Sequence, residues 1–117
     1  SEISVVSDQI GGPTSASSIA QTIILIVRAL LNQNKYSGNF GLYHYSGWPD
    51  VSWADFSREI FLQKNNQTKV QNILSKDYPT VANRPLNSRL ECSKIFRDFQ
   101  IERSNWKEDL AQMLIDM

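Results

Sequence analysis

Apolar residues change their spacing several times along this chain, and each change marks an element. Residues 3–6, Ile-Ser-Val-Val, form a short β-branched run that ends at Ser7-Asp8 and predicts a strand. Gly11-Gly12-Pro13 is a strong turn signal. Thr14 or Ser15 can then cap a helix, its hydroxyl accepting from an orphaned amide of the first turn. Beyond it Ile19, Ile23, Ile26 and Leu30 recur at helical spacing, flanked by Ala20, Ile24, Val27 and Leu31. That is a wide apolar stripe on a helix of about five turns, which the polar stretch 32–38 brings to an end.

Residues 40–46, FGLYHYS, predict a second strand, and Gly47-Trp48-Pro49-Asp50 a turn. Ser52 is placed to cap a second helix, with Asp55 at the third helical position as in a capping box and Val51 able to staple to Phe56. Phe56 and Ile60, four apart, would face the core. Residues 64–69 form a polar loop and 70–74 a short strand. Residues 78–90 are irregular, with prolines at 79 and 85. Ser93 is expected to cap a short helix carrying Ile95, Phe96 and Phe99. Ser104 or Asn105 opens the last helix, where Trp106, Leu110, Met113 and Leu114 share a face. The sum is an α/β or α+β chain of about four helices and three or four short strands. The 117 residues suffice for a single domain. Its connections are a little long for a compact, self-contained fold, and it opens directly into a strand with no initiator methionine, like the interior of a longer protein.

Charge narrows the function. Twelve basic residues balance twelve acidic ones, so nothing draws the whole chain to nucleic acid or an anionic membrane, and any anion site must be local. No apolar run approaches the roughly 20 residues that span a bilayer. The single Cys92 excludes an internal disulfide and fits a reducing cytosol. With one histidine, His44, it cannot build a usual zinc site. Cys92 reads as a small apolar filler before a helix, His44 as a buried strand residue, and the tryptophans and tyrosines as packing groups rather than a platform for bases. No glycine fingerprint for a dinucleotide opens a helix, no P-loop or nucleophile elbow is present, and no tyrosine has a lysine four residues later.

Two stretches hold candidate chemistry. In DQIGGPT, residues 8–14, glycines permit close backbone approach to a ligand, and the helix start behind them offers free amides to an anion. A tight strand-to-helix turn explains the same residues equally well. In NRPLNSRL, residues 83–90, Arg84 and Arg89 can bind phosphate through paired N–H groups, with Pro85 fixing the loop. The alternative is two surface ion pairs, with Glu91 or Asp77 as partners.

Together, DQIGGPTSA, then a long helix, GLYH, SWADF, YPTVANRPLNSRL and a terminal Trp-containing helix resemble one family along nearly the whole chain. The resemblance is to the C-terminal part of dTDP-4-dehydrorhamnose reductase, an extended short-chain dehydrogenase/reductase. It implies a substrate-binding portion, residues 1–117, without the N-terminal dinucleotide-binding domain. That missing domain would bind NADPH or NADH and carry the catalytic groups, so no catalytic residue is expected here and the fragment alone should be inactive. The implied reaction converts dTDP-4-dehydro-L-rhamnose to dTDP-L-rhamnose for cell-surface polysaccharide, such as the O-antigen of lipopolysaccharide, in a bacterial cytoplasm. The resemblance points to Arg84 as the contact for the diphosphate or nucleotide, with Pro85 holding it. Asn87 and Arg89 would shape the loop or touch the ligand, and Gln9, Pro13 and Thr14 would line the approach. The partners implied are a dTDP-sugar, the missing N-terminal domain and, since some members dimerise, a second copy; the family's glutamate-held metal has no counterpart among Glu2, Glu59 and Glu108. Residues 40–46 are a candidate strand of the larger sheet in the intact enzyme, leaving an uncovered edge or apolar face here. Rival readings are another extended short-chain nucleotide-sugar enzyme, such as an epimerase, and a non-enzymatic module like the methionine adenosyltransferase regulatory subunit.

Overall fold

A computed structural model of the chain describes residues 1–32 and 40–117. In order these form β1 (Glu2–Val6), β2 (Ile10–Gly11), α1 (Ala16–Leu31), β3 (Val51–Ser52), α2 (Trp53–Gln63), β4 (Lys69–Ile73), a single 3-10 turn (Ser75–Asp77), α3 (Ser93–Phe99) and α4 (Trp106–Asp116). β1 and β4 pair in parallel, from Glu2 opposite Lys69 to Val6 opposite Ile73. β2 and β3 make a minimal antiparallel pair, Ile10 opposite Ser52. α2 lies against both strands of the parallel pair, and Arg58 on it donates to the Val70 carbonyl at 3.0 Å. The mixed architecture and the four helices match the sequence reading.

Helix starts follow the capping residues. Ser15 caps α1, accepting from Ser18 N at 3.1 Å. Ser52 caps α2 through Asp55 N at 3.0 Å, and Asn105 caps α4 through Lys107 N at 3.0 Å. At α3 the expectation fails: Cys92 occupies the cap position without a side-chain capping bond, and Glu91 accepts from Ser93 N at 2.8 Å instead. The longer carboxylate reaches an amide that the expected serine, being the first helical residue, already carries.

The core is small and off-centre. Cys92, Ile95, Phe99 and Ile101 are buried together, with Ile26, Ala29, Leu30, Tyr43 and Tyr45 packed on them. Phe99 meets Tyr43 edge-on at 5.3 Å. Trp106 is buried against Phe56, ring centroids 5.3 Å apart. Of the apolar face expected on α4, Trp106 and Leu110 are buried while Met113 stays exposed. The radius of gyration is 17.3 Å, against about 13 Å for a compact domain of this length.

Two expected elements depart from the sequence reading. The apolar stripe of α1 is largely uncovered: Ile19, Ile23, Ile24 and Val27 are exposed, while Ser18 and Thr22 are the buried residues of that helix. Residues 40–46 form no ladder among the described residues. They keep a strand's alternation, with Phe40, Leu42 and His44 outward and Tyr43 and Tyr45 inward, but no neighbouring backbone pairs with them. His44 is therefore exposed rather than buried. The polar stretch expected to end α1 lies outside the described residues beyond Asn32.

One backbone crossing fixes the arrangement. A Cβ on Gly47 would fall on the Pro13 carbonyl oxygen, and one on Gly12 on the Gly47 carbonyl oxygen. Thr14 Oγ1 locks the crossing, donating to Gly12 O at 2.9 Å and accepting from Gly47 N at 3.0 Å. We therefore expect Gly47→Ala to cost about 3 kcal/mol, because two main chains would have to part. Gly11→Ala should cost only about 1 kcal/mol, since its new methyl meets the movable Ser88 Oγ at 2.7 Å. Urea unfolding of the two variants checks this; equal losses would show that the crossing is not the constraint.

Candidate functional site

The two candidate stretches are neighbours, joined by backbone. Ile10 N donates to Leu86 O at 2.8 Å and Ser88 N to Ile10 O at 2.9 Å, so residues 86–88 run beside β2. Successive side chains of an extended segment point to opposite sides. Arg84 and Arg89, of opposite parity, serve different surfaces here.

Asp8 and Gln9 face the 3-10 turn. Asp8 accepts from Ser75 N at 3.0 Å and from Ser75 Oγ at 2.6 Å. Gln9 Nε2 donates to Ser75 Oγ at 3.0 Å. The bonds from Ser75 hold the Asp8 carboxyl below its ordinary value near 3.8. This cluster anchors the loop that follows and places Gln9 and Arg84 on one cleft. The cleft has two adjoining chambers, of about 260 Å³ and about 300 Å³, which share Gln9, Tyr78, Thr80 and Arg84 as a wall. Arg84 is exposed and makes no hydrogen bond or ion pair among the described residues, so the ion-pair alternative is not realised for it.

The other expected residues sit elsewhere. Pro13 is buried and Thr14 is occupied by the crossing, so their visible contacts are with the chain itself. At the start of α1, Asp109 accepts from Ser15 Oγ at 3.2 Å, putting an internal carboxylate where an anion was expected. Pro85 and Asn87 lie in the segment beside β2, and Asn87 Oδ1 accepts from Arg89 N at 3.1 Å, a turn-forming bond. Arg89 faces a broad hollow of about 810 Å³ with Trp48, Asp50, Phe96 and Arg103. Its ion pair with Asp50, at 3.8 Å, is loose, and the partner is neither of those the sequence suggested.

Several residues of consequence carry no signal in the sequence. Lys76, Tyr78 and Thr80 line the cleft with Arg84, yet Lys76 reads as an ordinary surface lysine. Arg103 donates to Ser46 O at 3.1 Å, to Gly47 O at 2.6 Å and to Asp50, pinning the turn at Trp48-Pro49 from 53 to 57 residues away. Glu91, held below its ordinary range by the Ser93 bonds, secures the start of α3.

A family model described as the RmlD substrate binding domain matches residues 1–117. The dTDP-4-dehydrorhamnose reductase of Sinorhizobium fredii is 38% identical over 97% of the chain, and that of Aggregatibacter actinomycetemcomitans is 40% identical over 95%. The chain spans only 39% of the length of each. Among solved structures, a dTDP-4-dehydrorhamnose reductase ortholog from Clostridium acetobutylicum superposes with a TM-score of 0.82 at 29% identity, over 99% of this chain and 39% of that one. The Bacillus anthracis enzyme, solved in complex with NADP, gives 0.77 at 27% identity, over 99% of this chain and 38% of that one. The backbone crossing, the shared cleft and these likenesses coincide along the whole sequence: the chain belongs to the RmlD substrate binding domain family.

Proposed function

We propose that this chain is the substrate-gripping part of a reductase that converts dTDP-4-dehydro-L-rhamnose to dTDP-L-rhamnose in the bacterial cytoplasm. The observation that carries this is Arg84, a guanidinium without a partner among the described residues, on a cleft shared with Gln9. A diphosphate supplies the oxygen pairs that such a fork accepts. Gln9 lines the approach, and Pro85, Asn87 and Arg89 shape the loop that presents Arg84. Pro13 and Thr14 support the approach through the crossing.

NADPH or NADH supplies hydride to the C4 carbonyl carbon when bound, and the Bacillus anthracis relative solved in complex with NADP favours the phosphorylated form. The chain has no dinucleotide fingerprint, and we assign the cofactor and the proton donor to the part of a full-length reductase that lies outside the span matched in its relatives. That part also explains the uncovered surface: the apolar stripe of α1 and the unpaired strand at 40–46 are the faces it would cover. A contiguous apolar surface of this kind marks an interaction face or an aggregation liability.

Three outcomes follow. In the full-length enzyme, Arg84→Ala should raise the Michaelis constant for the dTDP-sugar about tenfold or more, the worth of a charge-assisted pair. Arg89→Ala should change it less than about threefold. Steady-state kinetics decide, and an unchanged rate and Michaelis constant for Arg84→Ala would sink the assignment. Second, the chain expressed alone should self-associate, and Ile23→Glu with Val27→Lys should return it to a monomer by light scattering; a monomeric wild-type fragment would show that the α1 face needs no cover. Third, the folded Asp8 carboxyl is depressed, so its grip on Ser75 is present above the unfolded value and is lost as pH falls through the lower folded one. The protection factor of the Ser75 amide, its exchange rate relative to an unstructured amide at the same pH, should therefore hold constant from neutrality down into the ordinary carboxylate range and fall only below that range. Loss of protection near neutrality would contradict it.

A further inference from the structure

Residues 76–85 leave one small region of the fold and return to it. Ser75 is tied to Asp8 and Gln9, and Leu86 and Ser88 are tied to Ile10. Three consecutive residues, 8–10, therefore hold both ends of the segment. A loop of this kind, with its ends together, is an Ω-loop, a class that is frequently functional. Between the anchors it has little support. Among the described residues no main-chain amide from 80 to 84 is bonded, and the tip holds itself by Thr80 Oγ1 donating to Ala82 O at 2.6 Å. Every residue from 76 to 86 is exposed. Pro79 and Pro85 bracket the tip and fix its backbone torsions. A stiff strap with anchored ends and nothing packed beneath it has low local stability and hinges at its ends. Its side chains do not suit water. Val81 is fully exposed, and Tyr78 and Leu86 are more than half exposed. Single apolar residues on a surface are ordinary, but here three fall within one strap. Tyr78, Thr80 and Arg84 of the strap wall both chambers of the cleft, and Val5 and Val6 of β1 stand half-buried on the other side of the larger one.

We propose that residues 76–85 are a lid: hinged at Ser75 and Leu86, the strap closes as one body toward β1 when a ligand engages Arg84, and it carries Val81 out of water. This rests on the nucleotide-sugar reading above and adds a conformational step to it. Arg84 rides on the moving strap, so the contact that binds the ligand also draws the lid shut. A ligand that touches Arg84 and the β1 wall together does so best in the closed form, and that difference in affinity shifts the population toward it. Closure excludes water from the bound ligand. Asp8, Gln9 and Ile10 hold the hinges from outside the strap, and the anchors stay in place while the tip moves.

The test uses the full-length enzyme, with dTDP as the probe. Spin labels go on Val81→Cys and on Gln71→Cys, an exposed position of β4 paired with Ser4 of β1, after other reactive cysteines are replaced; Cys92 is buried and stays. Saturating dTDP should shorten the distance between the labels by more than about 2 Å, the size of a loop rearrangement on binding. Hydrogen exchange at the amides of residues 80–84 should be close to unprotected in the free enzyme and slow with dTDP bound. Val81→Asp should leave the urea midpoint unchanged, because the side chain is fully exposed in the open form. It should lower kcat/KM about tenfold, the worth of burying a valine side chain. An unchanged label distance, a Val81 amide already protected without dTDP, a lowered urea midpoint or a wild-type kcat/KM for Val81→Asp each overturns the lid. If Arg84→Ala still loses dTDP affinity by calorimetry in that case, the nucleotide-sugar reading stands and the lid alone falls. If Arg84→Ala binds dTDP normally, both fall.

Discussion

The arrangement depends on two backbones passing closer than any side chain allows, at Gly12 and Gly47. Thr14 bridges the crossing by donating to one strand and accepting from the other. Arg103 then clamps the far side, donating to the carbonyls of Ser46 and Gly47 and to Asp50. These groups would otherwise be part-buried acceptors without donors, which is costly. The crossing brings the chain after β2 against the turn at Trp48-Pro49, and Trp106 completes the joint by donating its indole N–H to Pro49 O at 2.7 Å. Because the joint is fixed, β2 has one direction available, and residues 86–88 can lie beside it in one register. The cleft is thus a remote consequence of two missing Cβ atoms.

This explains which parts of the molecule were legible in the sequence. Caps at Ser15, Ser52 and Asn105 announce themselves because they act over three residues or fewer. β1 and β4 are visible in their β-branched runs, although nothing local says that they pair with each other across 60-odd positions. The glycines of DQIGGPT were ambiguous for a physical reason: a backbone approached by a ligand and one approached by another backbone require the same absence of a side chain. The structure resolves Gly11 and Gly12 towards the chain's own Ser88 and Gly47. Arg103 was illegible, since an arginine that chelates distant carbonyls looks like any other in sequence.

The uncovered face of α1 teaches the complementary lesson. A helical stripe of Ile19, Ile23, Ile24 and Val27 reports that something apolar lies against it, not that the partner belongs to the same chain segment. Here the first half of the inner face is built from Ser18 and Thr22, small hydroxyl residues that let it sit close to the loop carrying Tyr45, and Ile26, Ala29 and Leu30 continue it against the core. The periodicity marks the stripe, and only its Ile26 and Leu30 end reaches the core of this chain. Residues 40–46 repeat the pattern, with strand alternation present and the ladder absent.

Leaving Arg84 without a partner has its own energetic logic. Had it been paired with a carboxylate, a ligand phosphate would have to displace that acid, and the exchange would contribute little net affinity. An exposed arginine keeps its hydration in the free protein, so the open site carries only a small penalty. Its loop is held by main-chain bonds from Ile10 and Ser88 and by the anchored turn at Ser75, so little ordering remains to be done when a ligand arrives. Arg89 shows the contrast within the same eight residues: it already shares Asp50 with Arg103, and a ligand there would compete with an interaction the fold itself uses. The same residue type, five positions apart, is therefore left open in one case and set beside an internal carboxylate in the other.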